Sequence, residues 1–291
     1  MTDSALSIIV AVGDGARGGW FDALLREAAD VRADVLLVGD LERDSATYHR
    51  EGASAGVTVS IVYAEAGTLV PVLWGRGVDT ARGAMVALTS SECTVEVGWA
   101  RALMAGLEAG YAGVGGRLAL APQPSHAARA LFYLRYAAFL ATPDQSPREV
   151  RDIAADNAAY RADVLRQYAA RHADGFWEVE THHLMRANGA RFALIPGMTV
   201  LFTGAPRISA VMRQRFAHGR HFGAWRARVG ARRVWQMVLA APLVPFVLFG
   251  RAINASRAVG AGAGPVLATA WPFLLFAGAW AAGEGVGAVE A

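Results

Sequence analysis

The chain has 291 residues, of which 54% are hydrophobic and 18% are charged. It is long enough for one large domain or for one domain with an appendage, and it is more apolar than an average soluble protein. All 28 basic residues are arginine, and the single cysteine, Cys93, excludes an internal disulfide and a cysteine-cluster metal site.

Charge is distributed unevenly along the chain. Residues 1–180 contain 16 arginines and 23 acidic residues, whereas residues 181–283 contain 12 arginines and no acidic residue. A basic block beside apolar segments favours an anionic membrane surface as the partner. No aromatic-interleaved RNA motif accompanies the arginines, so no nucleic acid partner is expected.

The first part of the chain alternates strands and helices, which predicts an α/β sheet. Strands are predicted at Ser7–Val12, Asp34–Val38, Val57–Tyr63 and Ala84–Thr89, and helices at Trp20–Ala29, at Thr68–Ala81 and from Gly98-Trp99 onward. Ligands of such sheets bind outside the carboxyl ends of the strands. The polar run Ser90-Ser91-Glu92, directly after the fourth strand, is therefore the first candidate site.

A glycine-rich loop joins the first strand to the first helix. Residues Gly13–Gly18 match G-x-G-x-x-G, and Asp40 follows 22 residues after Gly18. This arrangement fits a dinucleotide fingerprint, in which the glycines approach a pyrophosphate and the acid binds ribose hydroxyls. A lone match is weak evidence in a chain with 32 glycines, and a flexible strand-to-helix loop is the simpler interpretation.

The middle of the chain contains a glycine-rich strand at Gly110–Ala121 and an amphipathic helix at Ser125–Ala141. The aromatic stripe of that helix favours core packing over a position on a membrane surface. From the residues alone, Asn157 is interpreted as a helix N-cap.

The segment Gly175–Leu184 holds two acids and two histidines. If it is extended, Glu178 and Glu180 share a face, whereas on a helix they diverge by about 200°. The adjacent His182 and His183 lack the i, i+4 spacing of helical zinc sites, so packed or exposed histidines are favoured over metal ligands.

Two apolar segments follow an arginine-rich stretch. Val234–Phe249 is about 24 Å long as a helix, which is short of a ~30 Å hydrocarbon core unless it extends through Ile253 with Arg251 snorkelling. Pro265–Gly283 has no charged residue and is about 29 Å long, which is enough to span. Arginines precede the first segment, so the positive-inside rule places the N-terminal domain in the cytoplasm.

Five segments resemble, in the same order, motifs of family 2 glycosyltransferases, including their membrane-bound members. They are Arg82–Leu103, Asn157–Arg161, Gly175–Pro196, Arg213–Arg220 and Trp280–Gly287. Three positions depart from the family pattern. Trp74-Gly75 replaces an Arg-Asn pair, Ser90-Ser91 replaces most of an acidic cluster, and Thr181 replaces the Asp of a Glu-Asp pair.

The resemblance implies a GT-A-type mixed sheet flanked by helices over residues 1–205. It further implies a basic interfacial helix over 206–233, two membrane helices forming a hairpin over 234–283, and a tail over 284–291. The implied activity is transfer, with inversion, of a sugar from a nucleotide-sugar donor to a lipid-linked or polysaccharide acceptor. The implied cofactor is Mg²⁺ or Mn²⁺, and the implied location is the inner membrane with the catalytic domain in the cytoplasm.

The resemblance also implies roles for particular residues. Glu180 is the expected catalytic base, with Glu178 second, and Glu92 beside Ser91 is the expected metal ligand. The expected donor-binding residues are Ala11, Gly13, Asp14, Asp40, Arg76, Ser91 and Glu92. The expected acceptor or diphosphate residues are Asn157, Trp177, Gln214, Arg215 and Arg220.

Two alternatives remain open. The three departures fit a domain that has lost its ligands and serves as a binding or assembly subunit beside an active transferase. A dinucleotide-binding oxidoreductase, built on Gly13–Gly18, is the third hypothesis, and it does not account for the apolar C-terminal segments.

Overall fold

The computed structural model describes residues 4–13, 19–140, 146–168, 174–230 and 233–291. The chain divides into two compact units. Unit 1 comprises Met1–Ala119 and Ala141–Phe202, and unit 2 comprises Leu120–Leu140 and Thr203–Ala291. The amphipathic helix predicted near residue 125 therefore belongs to unit 2.

Unit 1 is built on a nine-stranded mixed sheet. Its strands are β1 (Leu6–Val12), β2 (Asp34–Gly39), β3 (Val59–Tyr63), β4 (Met85–Ser90), β5 (Cys93–Val95), β6 (Gly113–Leu120), β7 (Arg148–Val150), β8 (Ala158–Arg161) and β9 (Phe192–Phe202). The order is β3-β2-β1-β4-β8-β6-β9-β5, with β7 also paired to β9. Strands β1 to β4 pair in parallel, while β8 runs antiparallel to β4 and β6.

Helices flank this sheet and form most of unit 2. They are α1 (Trp20–Val31), α2 (Ser45–Ser54), α3 (Val70–Thr80), α4 (Trp99–Glu108), α5 (His126–Tyr136), α6 (Ala162–Leu165), α7 (Glu178–Ala187), α8 (Ile208–Arg228), α9 (Val234–Ala240), α10 (Val244–Ala258), α11 (Gly264–Leu267) and α12 (Ala270–Glu290). Short 3₁₀ helices lie at Ala137–Phe139, Ala155–Asn157, Arg166–Tyr168 and Ala241–Leu243. The predicted fold class, a mixed α/β sheet flanked by helices with apolar helices at the C-terminus, is confirmed.

The parallel strands are apolar because helices cover them. All seven residues of β1 are buried, and Ile9 packs with Leu36 of β2 and Leu88 of β4 in one core cluster. Such continuous burial is expected for parallel strands covered on both faces.

The start of α4 is held by a buried carboxylate. Glu27 of α1 accepts hydrogen bonds from the backbone N–H groups of Gly98 and Ala100, both at 2.9 Å. Gly98 has a φ of +86°, a conformation that favours glycine. The predicted helix opening at Gly98-Trp99 is thus confirmed, and Glu27 satisfies N–H groups that a helix start leaves without partners.

Strand β9 is longer than predicted. The strand was expected to run from Phe192 to Ile195 and to end at Pro196, yet it continues to Phe202. Residues 192–194 pair with β7 and residues 200–202 pair with β5. Pro196 lies between these two paired stretches, so its missing N–H interrupts neither of them.

In unit 2, α8 and α12 are packed with their backbones in contact. A Cβ atom added at Gly219 or Gly223 would meet the carbonyl oxygen of Trp280 or Glu284, respectively. A Cβ atom added at Gly283 or Gly287 would likewise meet the backbone of α8. Interleaved glycines permit this approach, as at other small-residue helix crossings. The fourth and fifth segments singled out in the sequence thus form the two sides of one helix pair.

Two stretches of unit 2 are long and apolar enough to cross a membrane, judged by length and composition alone. They are Val234–Ala258, 17% buried, and Ala270–Glu290, 50% buried. Core helices of soluble proteins can pass the same test, so this is weak evidence for a membrane protein.

Candidate functional site

The carboxyl ends of β1 and β4 meet through Ser91. The Ser91 N–H donates to the carbonyl of Ala11 at 3.0 Å, and the Gly13 N–H donates to the Ser91 hydroxyl at 3.1 Å. In the sheet, β1 lies between β2 and β4. The chain passes from β1 to β2 and β3 on one side and then returns to β4 on the other side, so the gap between β1 and β4 is the switch point of the sheet. Ligands of open α/β sheets bind at such points. The structure therefore brings together three of the predicted donor-binding residues.

A buried acid stands beside them. The Ser90 hydroxyl donates to the Oδ1 atom of Asp156 at 2.7 Å, and the two side chains are 1% and 3% exposed. Sequence reasoning did not select Asp156, although its position directly before Asn157 was a usable signal. The polar group at the end of β4 thus extends to the segment before β8.

Glu92 lies on the turn between β4 and β5 and is half-buried. Hard divalent cations require several oxygen ligands. Among the described residues, no group of three or more His, Cys, Asp or Glu side chains is arranged to hold a metal ion. Around this turn, the Ser90 hydroxyl donates to Asp156 and the Ser91 hydroxyl accepts from Gly13. The described residues therefore do not fit a metal site made by protein ligands alone, and Glu92 as a metal ligand stays a prediction.

Asp40 and Arg76 lie at the neighbouring strand ends. Asp40 directly follows β2 and is exposed. Arg76 on α3 is also exposed, and its Nη1 atom donates to the carbonyl of Tyr63, the last residue of β3, at 3.4 Å. Because β2 and β3 are parallel, both residues lie at the same edge of the sheet as Ser91.

Trp74, one of the three departures noted in the sequence, lies inside the core. It is 3% exposed, and its indole N–H donates to the carbonyl of Thr89 at 2.7 Å. The hydrogen bond of Trp74 thus stabilises the end of β4 from inside the core. Arg76, which is also on α3, is exposed.

Asn157 is fully buried, and its polar atoms bond within unit 1. Its amide nitrogen donates to the carbonyls of Arg117 at 3.0 Å and Met198 at 3.1 Å. Its Oδ1 atom accepts from the indole N–H of Trp99 at 2.8 Å. Asn157 ends a 3₁₀ helix rather than capping α6, whose N-cap is Arg161. These contacts join β6, β9 and α4 behind Asp156.

Glu178 and Glu180 occupy the first turn of α7, so the helical alternative holds and the two carboxylates diverge. Glu178 lies on the same side of α7 as the buried His182, and its Oε2 atom accepts from the Ala155 N–H at 2.8 Å. Ala155 immediately precedes Asp156. Glu178, the second choice as base, is therefore hydrogen-bonded to the segment that carries Asp156. Glu180 lies on another side of α7.

Trp177 precedes this helix as its N-cap residue and is 9% exposed. Its indole N–H donates to the carbonyl of Asp174 at 3.0 Å. The expected acceptor role of Trp177 stays a prediction.

His182 belongs to a buried polar chain that sequence reasoning missed. Its Nε2 atom lies 2.8 Å from the Tyr160 hydroxyl, and its Nδ1 atom lies 3.5 Å from Oδ1 of Asp152. Burial lowers the pKa of His182, and the Asp152 carboxylate opposes that effect. Burial alone would raise the pKa of Asp152, but His182, Arg186 and Arg151 lower it below its usual value. The favoured interpretation of His182 as a packed histidine fits this position.

The remaining predicted residues belong to unit 2 or are outside the described residues. Gln214, Arg215 and Arg220 are on α8 of unit 2, where Arg215 is 7% exposed and Arg220 pairs with Glu290 at 2.5 Å. Asp14 and the rest of the glycine-rich motif after Gly13 lie outside the described residues.

Comparison with known proteins gives a distant similarity. No protein-family profile and no curated protein matches the chain. Among solved structures, the chain is similar to the mannosyltransferase PcManGT from Pyrobaculum calidifontis, in complex with GDP-Man and Mn²⁺. The two are 15% identical, the match covers 95% of this chain and 74% of that one, and the TM-score is 0.47. A similarity at this level assigns no residue role to the chain.

Proposed function

We propose that this chain is a glycosyltransferase of the family 2 type, which moves a sugar from a nucleotide-sugar donor to a lipid-linked or polysaccharide acceptor. The observation that carries the proposal is the cluster at the carboxyl ends of β1 and β4. There Ser91 bonds to Gly13, Ser90 bonds to the buried Asp156, and Glu178 bonds to the residue before Asp156. The order of the five family-like segments along the sequence supports the same activity.

The donor is proposed to lie along the carboxyl edge of the parallel strands. Asp40, after β2, would accept hydrogen bonds from ribose or base, and Arg76, beside the end of β3, would face negative charge. Gly13 has no Cβ atom, and among the described residues an added Cβ would find no atom within 4 Å, which supports a close approach of a ligand to its backbone.

The proposed chemistry is a single displacement with inversion. The acceptor hydroxyl oxygen forms a bond to the anomeric carbon as the bond from that carbon to the donor phosphate breaks. The nucleoside diphosphate leaves with the bonding electron pair, and a carboxylate of the protein accepts the hydroxyl proton. We assign the proton acceptor to Glu178 or Glu180. The family resemblance favours Glu180, whereas the hydrogen bond from the Ala155 N–H to Glu178 favours Glu178.

Mg²⁺ or Mn²⁺ would neutralise the leaving diphosphate if the donor itself completed the ligand set. Magnesium is often bound by one or two carboxylates together with substrate phosphates. Because the described residues do not form a metal site of their own, no step above depends on the ion. Arginine side chains can stabilise the same negative charge.

The location proposed for this activity is the cytoplasmic face of the inner membrane. The arginine-rich stretch before the first apolar segment supports that location, because the cytoplasmic leaflet carries the anionic lipids. Anionic lipid attracts juxtamembrane arginines with about 1 kcal/mol each.

Calorimetric titration tests donor binding. UDP, GDP and dTDP are titrated into the full chain with and without Mn²⁺. We expect one nucleotide to bind in preference to the others. The substitutions Ser91→Ala and Asp40→Ala should each weaken the binding of that nucleotide. Binding of none of the three would contradict the enzyme proposal.

Transfer of radiolabelled sugar to membrane lipid extract then separates the two acids. Loss of transfer in Glu178→Gln with nucleotide binding retained would assign the base to Glu178, and the same result in Glu180→Gln would assign it to Glu180. Glu51→Gln, an exposed acid on α2, is the matched control. Nucleotide binding without transfer in the unmodified protein would favour the alternative of a binding or assembly subunit.

A further inference from the structure

The pairing of α8 with α12 restricts how unit 2 can meet a membrane. The two helices run parallel. From the contact of Gly219 with Trp280 to that of Gly223 with Glu284, the residue number increases along both helices. Backbone contact of this kind leaves no space for a lipid chain between the helices. Any membrane position taken by α12 is therefore shared by α8.

Helix α8 is too charged to lie inside a bilayer. It contains Arg213, Arg215, Arg220, Arg226 and Arg228. An arginine at the centre of a membrane helix costs about 2.5–3.5 kcal/mol even on the mildest scale. Even with Arg220 and Arg226 paired to glutamates, the charge of this helix opposes its burial in hydrocarbon. A lengthwise crossing of α12 with α8 attached is therefore unfavourable.

Two ion pairs keep the helices attached. Glu284 of α12 is 4% exposed and pairs with Arg226, and Glu290 pairs with Arg220 at 2.5 Å. Breaking a buried pair by separating its partners is strongly destabilising, commonly by about 3–5 kcal/mol. The charged helix therefore stays with the apolar one.

The other apolar segment is also poorly suited to crossing. Its second half presents Arg251, Asn254 and Arg257 on an exposed side of α10. The uncharged part, Val234–Gly250, is interrupted by the 3₁₀ turn Ala241–Leu243 and is at most about 25 Å long. A ~30 Å hydrocarbon core needs about 20 apolar helical residues.

Unit 2 nevertheless exposes many large apolar side chains. Five of them recur at spacings of mostly three or four residues from α9 to α10, and a sixth is Trp271 of α12. We call these residues the apolar face: Trp235 56%, Leu239 70%, Leu243 64%, Phe246 63%, Val247 50% and Trp271 60% exposed. Leu275, Val286 and Val289 of α12 are exposed on the same side of that helix as Trp271. Exposed surface of this kind marks a protein or membrane interaction site.

We propose that this apolar face dips into one leaflet of an anionic bilayer and that neither apolar segment crosses the membrane. The occupant is lipid rather than protein because arginines accompany the apolar residues and the unit 2 sequence has no acids besides Glu284 and Glu290. Helices that lie in the interface combine an apolar face with arginine in this way. The proposal replaces the expected spanning hairpin, and it rests on the proposed membrane attachment but not on sugar transfer.

Sidedness of chemical labelling tests the proposal. The full chain is made with Cys93→Ser, which leaves no other cysteine, and with either Ala261→Cys, in the exposed connection before α11, or Ala53→Cys, on α2. Both are treated with a membrane-impermeant maleimide in sealed vesicles containing anionic lipid, from each side in turn. We expect Ala261→Cys never to be labelled from the side opposite to Ala53→Cys. Labelling of Ala261→Cys from the opposite side would overturn the proposal, as would recovery of the protein in the soluble fraction.

Depth measurement provides a second, independent readout. Ala282 is exposed near the middle of α12, on the side of Trp271 and Val286. A spin label at Ala282→Cys in a crossing helix would lie at the bilayer centre. We expect it to lie shallower than the leaflet midplane, which is about 7.5 Å below the surface of a ~30 Å hydrocarbon core. Nucleotide titration on the same samples reports separately on the proposed transferase.

Discussion

His182 in unit 1 and His218 in unit 2 both have lowered pKa values, but only His182 has a carboxylate among the charged neighbours that shift its pKa. His182 is fully buried, and burial lowers its pKa while the nearby Asp152 carboxylate opposes the effect. His218 is only partly buried, yet its pKa lies well below its usual value. Burial is again the largest cause, and Arg215, Arg135 and His221 add to it. Neighbouring charge, as well as depth of burial, therefore sets how far each histidine resists protonation.

The difference extends to the two units as wholes. Unit 1 balances buried groups with partners of either sign, as in the chain from Asp152 through His182 to Tyr160. The unit 2 sequence contains two acids, Glu284 and Glu290, and each pairs with an arginine of α8. The remaining arginines give unit 2 a positive field, which favours anionic partners such as lipid phosphate.

The largest expected effect comes from separating α8 and α12. Gly219→Leu places a side chain against the backbone of Trp280 and Glu284, where no side-chain movement can relieve the clash. We expect unit 2 to be destabilised by at least about 3 kcal/mol. The neighbouring His218 would become exposed, and its pKa would return towards 6.5, which removes the contrast with His182. Thermal unfolding and histidine NMR titration measure the two effects.

Gly278→Ala is the matched control for that change. Gly278 is on α12, the helix that packs against α8. Among the described residues, a Cβ atom added at Gly278 would find no atom within 4 Å. The alanine should leave stability unchanged or raise it by about 0.5–1 kcal/mol, since glycine is unfavourable within a helix. Equal losses in the two variants would show that the close helix contact is not what stabilises unit 2.

Acidification is expected to affect the two units differently. Because the folded-state pKa of His218 is below the unfolded value, its contribution to stability is complete above about pH 6.5 and declines as the pH falls towards the folded pKa. The decline is at most about 1.4 kcal/mol per pH unit, so the protection of α8 should fall progressively below pH 6.5. Hydrogen exchange of α8 and α7 peptides between pH 7.5 and 5 measures the loss, with exchange times corrected for intrinsic pH dependence. His218→Gln should flatten the dependence in α8 but not in α7.

Much of unit 1 could be predicted from its sequence because the signals are local. The apolar runs of β1, β2 and β4 and the glycine before α4 each specify an element within a few residues. The meeting of Gly13 with Ser91 followed from one rule, that parallel strands end at one edge of a sheet.

Contacts distant in sequence could not be predicted in the same way. Asp156 reaches Ser90 across 66 residues, and His182 reaches Tyr160 across 22, and neither pair has a periodic signal. The glycines of α8 and α12 were recognised as parts of separate motifs, and only the fold pairs them. Whether Glu178 and Glu180 share a face depended on whether their segment is extended or helical, which short apolar patterns do not decide.

Removing the carboxylate beside His182 should make unit 1 behave more like unit 2. In Asp152→Asn, burial and Arg186 would lower the pKa of His182 without the opposing charge. We expect about 1.5 kcal/mol of additional loss in unit 1 stability between pH 7 and 5, following the same sign as for His218. Hydrogen exchange of α7 peptides is the measurement. Asp163→Asn, which removes an exposed partner of Arg161, should change stability by less than about 0.5 kcal/mol.

The smallest expected effect tests whether the Tyr160 hydroxyl holds the neutral form of His182. A neutral imidazole that directs its Nδ1–H towards Asp152 must accept at Nε2, and Tyr160 supplies that donor at 2.8 Å. Tyr160→Phe leaves the Nε2 atom buried without its partner, which should cost about 1 kcal/mol at pH 7. Histidine NMR of the variant should show the imidazole proton shifting between the two ring nitrogens, a change that simple loss of packing would not produce. Tyr168→Phe, which removes an exposed hydroxyl bonded to Asn188, is the control, and an unchanged His182 spectrum in Tyr160→Phe would mean that Asp152 alone selects the tautomer.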